Sequence, residues 1–211
     1  MSSAKIQNTT VITYPYSYGE FVSDNNNTAY PPGVDWVSLF PQTAAAKGGY
    51  SLVEVQPEPQ PTFDSLTQTC TEGTPALVNG VWQQTWTVSD LPLATAQTNK
   101  VQSLAQTYQS AIQQPVSYTS KGGVTKTYQA DPQSVANLTQ ILLAFQAAAA
   151  TPSGFYWVAA DNTQVPFTYA DMQGLAAAFG AQGAAAFQHL QTLKTEVNAA
   201  TTTAAVRAVN W

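Results

Sequence analysis

The sequence predicts an α+β protein with a Pro-rich, small β region over residues 1–90 and a C-terminal domain over residues 91–211. In that domain three helices are interleaved with two β-hairpins. Three observations carry the prediction. The spacing of apolar residues changes from a period of about 2 to one of about 3.6 between Val88 and Val101. Most prolines and tryptophans precede the change. After it, long polar-alanine segments alternate with short aromatic stretches.

In chain order, Val11-Ile12-Thr13-Tyr14 is a β-branched and aromatic run, and Tyr50-Ser51-Leu52-Val53-Glu54-Val55 is another. Ala76-Leu77-Val78 and Val81-Trp82 flank Asn79-Gly80, whose favoured hairpin turn needs φ > 0 at both central residues. Trp82 to Val88 then alternates as a half-buried strand does. Tyr30-Pro31-Pro32-Gly33, Phe40-Pro41 and Pro57-Glu58-Pro59-Gln60-Pro61 separate these runs, because proline removes ladder donors. Beyond Leu91, the spacing of Val101, Ala105, Tyr108 and Ile112 predicts one helical face, closed before Pro115. Tyr118 to Tyr128 forms a hairpin around Gly122-Gly123. Asp131-Pro132 offers a capping oxygen and a first-turn proline to a second helix, with Val135, Leu138, Leu142 and Phe145 as its stripe. Phe155 to Phe167 forms a second hairpin around Asp161-Asn162. Thr168-Tyr169-Ala170-Asp171 is a capping-box start to a third helix of about eight turns, striped by Met172, Leu175, Phe179, Phe187, Leu190, Leu193 and Val197. The runs 147–150, 176–178 and 184–186 of alanine, with Gly180 and Gly183, predict flat helix surfaces suited to close approach. Each glycine costs about 1 kcal/mol of helix propensity, which packing must offset.

Composition limits the function classes. A hydrophobic share of 44% in 211 residues is enough for a core. Charged residues are only 9%, against roughly 25% in ordinary soluble domains. Neutral amides and hydroxyls must therefore solvate the surface, and copies repel one another little. A net charge of -5 with scattered Lys5, Lys47, Lys100, Lys121, Lys126, Lys194 and Arg207 argues against nucleic-acid binding. No run of about 18 apolar residues suggests membrane insertion, and Met1-Ser2-Ser3-Ala4-Lys5 opens without a signal-peptide stretch. The expectation is a soluble chain made in a cytoplasm. Cys70 stands alone, so it reads as a small buried residue rather than a disulfide partner or part of a thiolate metal site.

No catalytic, cofactor-binding or metal-binding residue is assigned. His189 has no His, Cys or acidic residue at helical metal-site spacing, and neither a Gly-x-Ser-x-Gly elbow nor a phosphate-binding glycine loop occurs. Glu20, Asp24, Asp35, Glu54, Glu58, Asp64 and Glu72 leave a two-carboxylate glycosidase open in principle. Their turn-like Pro, Asn and Ser surroundings favour structural roles. Tyr14, Tyr16, Tyr18, Phe21 and Tyr30, near Asp24-Asn25-Asn26-Asn27, combine rings with short amides. They read as a small β core or a tied-down arm, with a neutral-sugar or protein contact as the alternative. Trp82, Trp86 and Trp157 read as core.

The segment Tyr128-Gln129-Ala130-Asp131-Pro132-Gln133-Ser134-Val135-Ala136-Asn137-Leu138, then Trp157-Val158-Ala159-Ala160-Asp161-Asn162, then the Ala-rich terminal helix ending at Trp211, resembles a small protein family of tailed bacteriophages. The resemblance covers roughly residues 92–211, a domain of uncharacterised function found in tail-fibre and other virion proteins. Leu39-Phe40-Pro41, the Gly-Tyr strand, the Pro-rich link, Asn79-Gly80-Val81-Trp82 and Trp86-Thr87-Val88 are similar to the amino-terminal part of the same proteins. The resemblance implies a non-enzymatic virion component, in the tail fibre or its baseplate attachment, assembled in the host cytoplasm and then carried in the tail. Residues 1–90 would make the attachment or host contacts. Its implied partners are other tail or baseplate proteins, copies of itself in a homo-oligomer with a trimer foremost, and a host surface glycan. A tail-fibre assembly chaperone absent from the particle, and a host-glycan-binding module, are the alternative functions.

Overall fold

The computed structural model describes residues 2–24 and 49–211. Asn25 to Asn27, Tyr30 to Gly33, Asp35, Leu39 to Pro41 and Lys47 lie outside the described residues. The chain divides into two compact units, Met1–Asp90 and Leu91–Trp211, and it is α+β, with strands dominating the first and helices the second.

In the first unit β1 (Ser2–Gln7) is the centre of a three-stranded antiparallel sheet. β2 (Thr10–Thr13) flanks it on one side and β3 (Tyr50–Val55) on the other. Local spacing predicts no strand over Ser2–Gln7, because only Ala4 and Ile6 give it an apolar alternation. They are nevertheless buried, with Val55 and Trp82. The opposite face of the sheet buries Leu52 under Tyr16 and Phe21, the latter on the short helix α1 (Tyr18–Asp24). β4 (Gln68–Val78) and β5 (Val81–Asp90) form a long hairpin. Asn79 and Gly80 turn it with φ of 51° and 83°, the positive pair expected of that dipeptide. The Pro-rich link begins alongside β5, where Gln56 donates to Trp82 O at 2.9 Å and receives Gln84 N at 2.9 Å. Trp82 is buried, whereas Trp86 is half-buried and donates its indole N–H to Glu58 O. Cys70 is half-buried on β4 rather than buried, since the alternation of a two-stranded ribbon turns one face to solvent.

The second unit runs α2 (Leu93–Ala111), β6 (Val116–Thr119), β7 (Thr125–Tyr128), α3 (Pro132–Phe145), β8 (Tyr156–Val158), β9 (Gln164–Pro166), α4 (Tyr169–Ala199) and α5 (Thr203–Ala208). Asp131 caps α3 by accepting from Gln133 N and Ser134 N at 3.0 and 3.1 Å. Thr168 and Asp171 close the capping box of α4. Asp171 is almost fully buried and also accepts from Lys121 N at 2.6 Å, which ties the first hairpin's turn to the helix start. Burial alone would raise its pKa. The hydrogen bonds from Thr168 and Lys121 outweigh burial and hold it below the usual carboxylate value.

α4 spans 31 residues and serves two separate cores. Its first turns bury Met172 and Leu175 with Tyr128, Leu138, Val165 and Phe167. Its last turns bury Leu190, Leu193 and Val197 with Ala96 and Leu104 of α2 and Val206 of α5. Helix ends need partners for free carbonyls, and in this charge-poor chain glutamine amides supply them. Gln182 of α4 donates to Ala111 O and Gln114 O at the end of α2, and Gln97 of α2 donates to Val197 O and Ala200 O at the end of α4.

Several expectations need correction. The buried line of α2 is Ala96, Lys100 and Leu104, while Val101, Ala105, Tyr108 and Ile112 are only partly covered. Lys100 is buried because its ammonium reaches Arg207 O in the last turn of α5 and Asn210 Oδ1 just after it, a long-range contact no local period reveals. Val135 is 37% and Phe187 51% exposed, although Leu138 and Leu190 on the same stripes are buried, so among the described residues the cover is interrupted at these two positions. Residues 147–150 follow the end of α3 instead of extending it, with Ala149 at φ 47°. The terminal helix does not run to Trp211: the chain becomes extended at Ala200, and Thr202 caps a new short helix. Trp157 is half-buried against the first core rather than enclosed by it.

Candidate functional site

Between its two cores, α4 is uncovered on one side. Gly180 and Gly183 present no Cβ there, and among the described residues nothing lies within 4 Å of where either Cβ would stand. The result is a groove of about 620 Å3 in the second unit. Tyr108 and Ile112 from the end of α2 form one wall, Val135 and Leu138 of α3 another, and Phe179 with the two glycines of α4 the floor. Among the described residues, no charged side chain lines it. Phe187 stands one turn further along α4, edge-on to Tyr108 with ring centroids 6.4 Å apart. The exposed residues Ala181, Ala184, Ala185 and Phe187 make the adjoining surface of α4 small and apolar. The groove therefore has the texture of a helix-packing surface: apolar walls, a backbone-deep floor, and amide or hydroxyl groups such as Gln109 and Thr139 at its edge.

The residues weighed for chemistry are held in structural arrangements. Glu20 caps α1, accepting from Ser17 N and Oγ at 2.7 and 2.8 Å, and these bonds lower its pKa. Asp24 pairs with Lys5 at 2.6 Å and accepts from the Tyr16 hydroxyl; the Lys5 bond is the main reason its pKa is lowered. A glycosidase's general acid requires the opposite shift. Asp64 holds a local turn through Leu66 N and the Thr67 hydroxyl. Glu72 accepts from the Tyr14 hydroxyl and from Gln84 Nε2, which joins β4 to the start of the unit. Glu54 is exposed on β3, and Glu58 is half-buried in the Pro-rich link. Tyr16 and Phe21 belong to the core, Tyr14 is half-buried, and Tyr18 remains 45% exposed. His189 is exposed on α4 with Trp211 edge-on at 4.9 Å. Among the described residues, no three His, Cys, Asp or Glu side chains gather as a metal site would require, and no helix is long and apolar enough to cross a membrane.

The sequence reading found the glycines of the groove but not its walls. Local spacing cannot show that the end of α2 and the start of α3 converge on Gly180.

Residues 95–210 match a family described as a domain of unknown function, DUF4376. No curated protein and no solved structure matches the chain.

Proposed function

We propose that this chain, which belongs to the DUF4376 family, is a non-catalytic structural component of a tailed-phage virion, in the tail fibre or its baseplate attachment. It works as a homo-oligomer, with a trimer as the expected stoichiometry, alongside other tail proteins. The resemblance carried by residues 128–138 and 157–162 supports the virion context. The observation that argues for assembly is the uncovered middle of α4. Glycines in a helix are unfavourable unless close approach offsets them, and among the described residues no atom of another element lies within 4 Å of where a Cβ would stand at Gly180 or Gly183. A second copy fits that space by its own chemistry. The small apolar surface at Ala181, Ala184 and Ala185 is uncharged like the groove, and a low-charge exterior weakens repulsion between copies.

Mass spectrometry of purified phage particles tests the virion role. The chain should appear at a fixed ratio to the other tail proteins. Its presence in infected cells but absence from particles would identify an assembly chaperone instead and overturn the structural reading.

A further inference from the structure

The tip of the hairpin formed by β4 and β5 carries a reactive pair. Asparagine is followed by glycine once in the sequence, at Asn79-Gly80, and both residues are exposed. We propose that Asn79 is a site of spontaneous deamidation, and that its isoaspartyl product undoes the tip of this hairpin. The inference is independent of the assembly reading, because the groove belongs to the other unit.

The chemistry is internal to the chain and needs only water and hydroxide. Hydroxide takes the proton of Gly80 N, and that nitrogen attacks the side-chain carbonyl carbon of Asn79. The new N–Cγ bond forms, the Cγ–Nδ2 bond breaks, and Nδ2 leaves as ammonia with a proton supplied by water. A cyclic imide remains. Water then opens the imide at either of its carbonyls. One opening leaves an aspartate; the other leaves an isoaspartate, whose main chain runs through the former side chain and is longer by a single carbon.

The structure favours attack at this position. Among the described residues, neither the Asn79 side chain nor Gly80 N has a hydrogen-bond partner, so both reacting groups are uncommitted. Gly80 has no side chain to obstruct the approach, and nothing lies within 4 Å of where its Cβ would stand. The closing pair of the ribbon, Val78 with Val81, must loosen for the nitrogen to swing toward Cγ. Those side chains are 42% and 45% exposed, so little packing resists the opening.

The other described asparagines lack this combination. Asn162 is an internal control, since it is also exposed in a hairpin turn at a positive φ of 64°. There the next residue, Thr163, is β-branched, and its N–H is held by the Asp161 carboxylate at 3.0 Å. Asn8, at φ 57°, likewise precedes a threonine. Asn99, Asn137 and Asn198 lie inside helices, where the following N–H donates to the preceding turn. Asn210 precedes Trp211, and its amide donates to Ala208 O at 3.0 Å.

The two products differ in their effect on the fold. Asn79 and Gly80 make a two-residue turn at φ 51° and 83°, a geometry with no place for an added main-chain carbon. Isoaspartate therefore breaks the pairing of Val78 with Val81 and disturbs Leu77, which stands opposite the buried Trp82. Aspartate keeps the main chain and sets a carboxylate among the exposed Leu77, Val78 and Val81.

The test is peptide mapping of the full chain by mass spectrometry after storage at mildly acidic and mildly alkaline pH, with fragmentation that separates isoaspartate from aspartate. Asn79 should gain the mass of an amide-to-acid exchange at least about tenfold faster than Asn162. Its conversion should be faster at the alkaline pH, because the attacking nitrogen must lose its proton, and isoaspartate should be among the products. Amide signals of residues 77–82 and the Trp82 indole should gain a second set that grows with the isoaspartate. Asn79→Gly, which keeps the positive φ and removes the reacting amide, should show no second set on the same storage. The proposal is overturned if Asn79 converts no faster than Asn162, if aspartate forms without isoaspartate, or if isoaspartate accumulates while the signals of 77–82 stay unchanged. The wild-type chain alone decides each of these outcomes, so a variant that misfolds leaves the test intact.

Discussion

The two ends of α4 and its middle obey different rules. At the ends, large side chains are enclosed: Met172 and Leu175 beneath the hairpins, Leu190 and Val197 beneath α2 and α5. In the middle, Gly180 and Gly183 face open space and Phe187 is 51% exposed. A helix needs enclosure only where it anchors a core. A continuous helix of 31 residues joins two small cores, and the stretch between them is left with residues that cost stability in the isolated chain. This contrast is what the self-association proposal explains.

Substitution at the ends should have the largest effects. Phe167→Ala empties a site that is 3% exposed and should destabilise the second unit by about 3–5 kcal/mol in denaturant melts; a loss below about 1 kcal/mol would show that the first core collapses around the gap. Trp157→Ala, at a half-buried ring, should cost about 1–3 kcal/mol by the same measurement. A larger loss would mean that the second hairpin cannot hold its place without that ring.

Asp171→Asn comes next, at about 1–3 kcal/mol. The amide cannot reproduce every acceptor contact to Thr168 and Lys121. Its pH dependence has a definite sign. The carboxyl is depressed in the folded chain, so its stabilisation is present above the ordinary value of 3.8 and is lost as pH falls through the lower folded value. Acid titration of stability should show a smaller loss below about pH 4 in the variant than in wild type. Equal losses would place the acid sensitivity in other carboxylates, such as Asp161, which Lys126 holds at about 2.

The smallest effects belong to the middle, and their sign is reversed. Gly180→Ala and Gly183→Ala should each leave the monomer unchanged or stabilise it by up to about 1 kcal/mol, because nothing opposes a methyl group there. A clear destabilisation would show that the groove closes in solution.

The sequence made the ends legible and the middle only half so. Tyr50–Val55, the Asn79-Gly80 turn, both C-terminal hairpins, Asp131 and the Thr168 capping box carry local chemistry, and the structure has each of them. β1 escaped because Ser2–Gln7 owes its strand to pairing on both sides rather than to its own residues. Phe187 and Val135 followed the helical period, yet period says which residues share a face and nothing about whether that face is covered. The break at Ala200 and the burial of Lys100 depend on the chain folding back across α2, a contact between residues about a hundred positions apart. The groove was visible as glycines alone, because its walls come from two other helices.

The central claim is that the middle of α4 is an interface between copies. Sedimentation equilibrium of the full chain, wild type against the Gly180→Leu, Gly183→Leu double variant, tests it most directly, with a thermal melt of each as the control for folding. The account predicts that wild type associates with rising concentration. The double variant should remain a monomer whose Tm is equal or higher, because leucine favours helix over glycine and, among the described residues, an open apolar groove adjoins both positions. A wild type that stays monomeric at every concentration, or a variant that loses its fold together with its assembly, would contradict it.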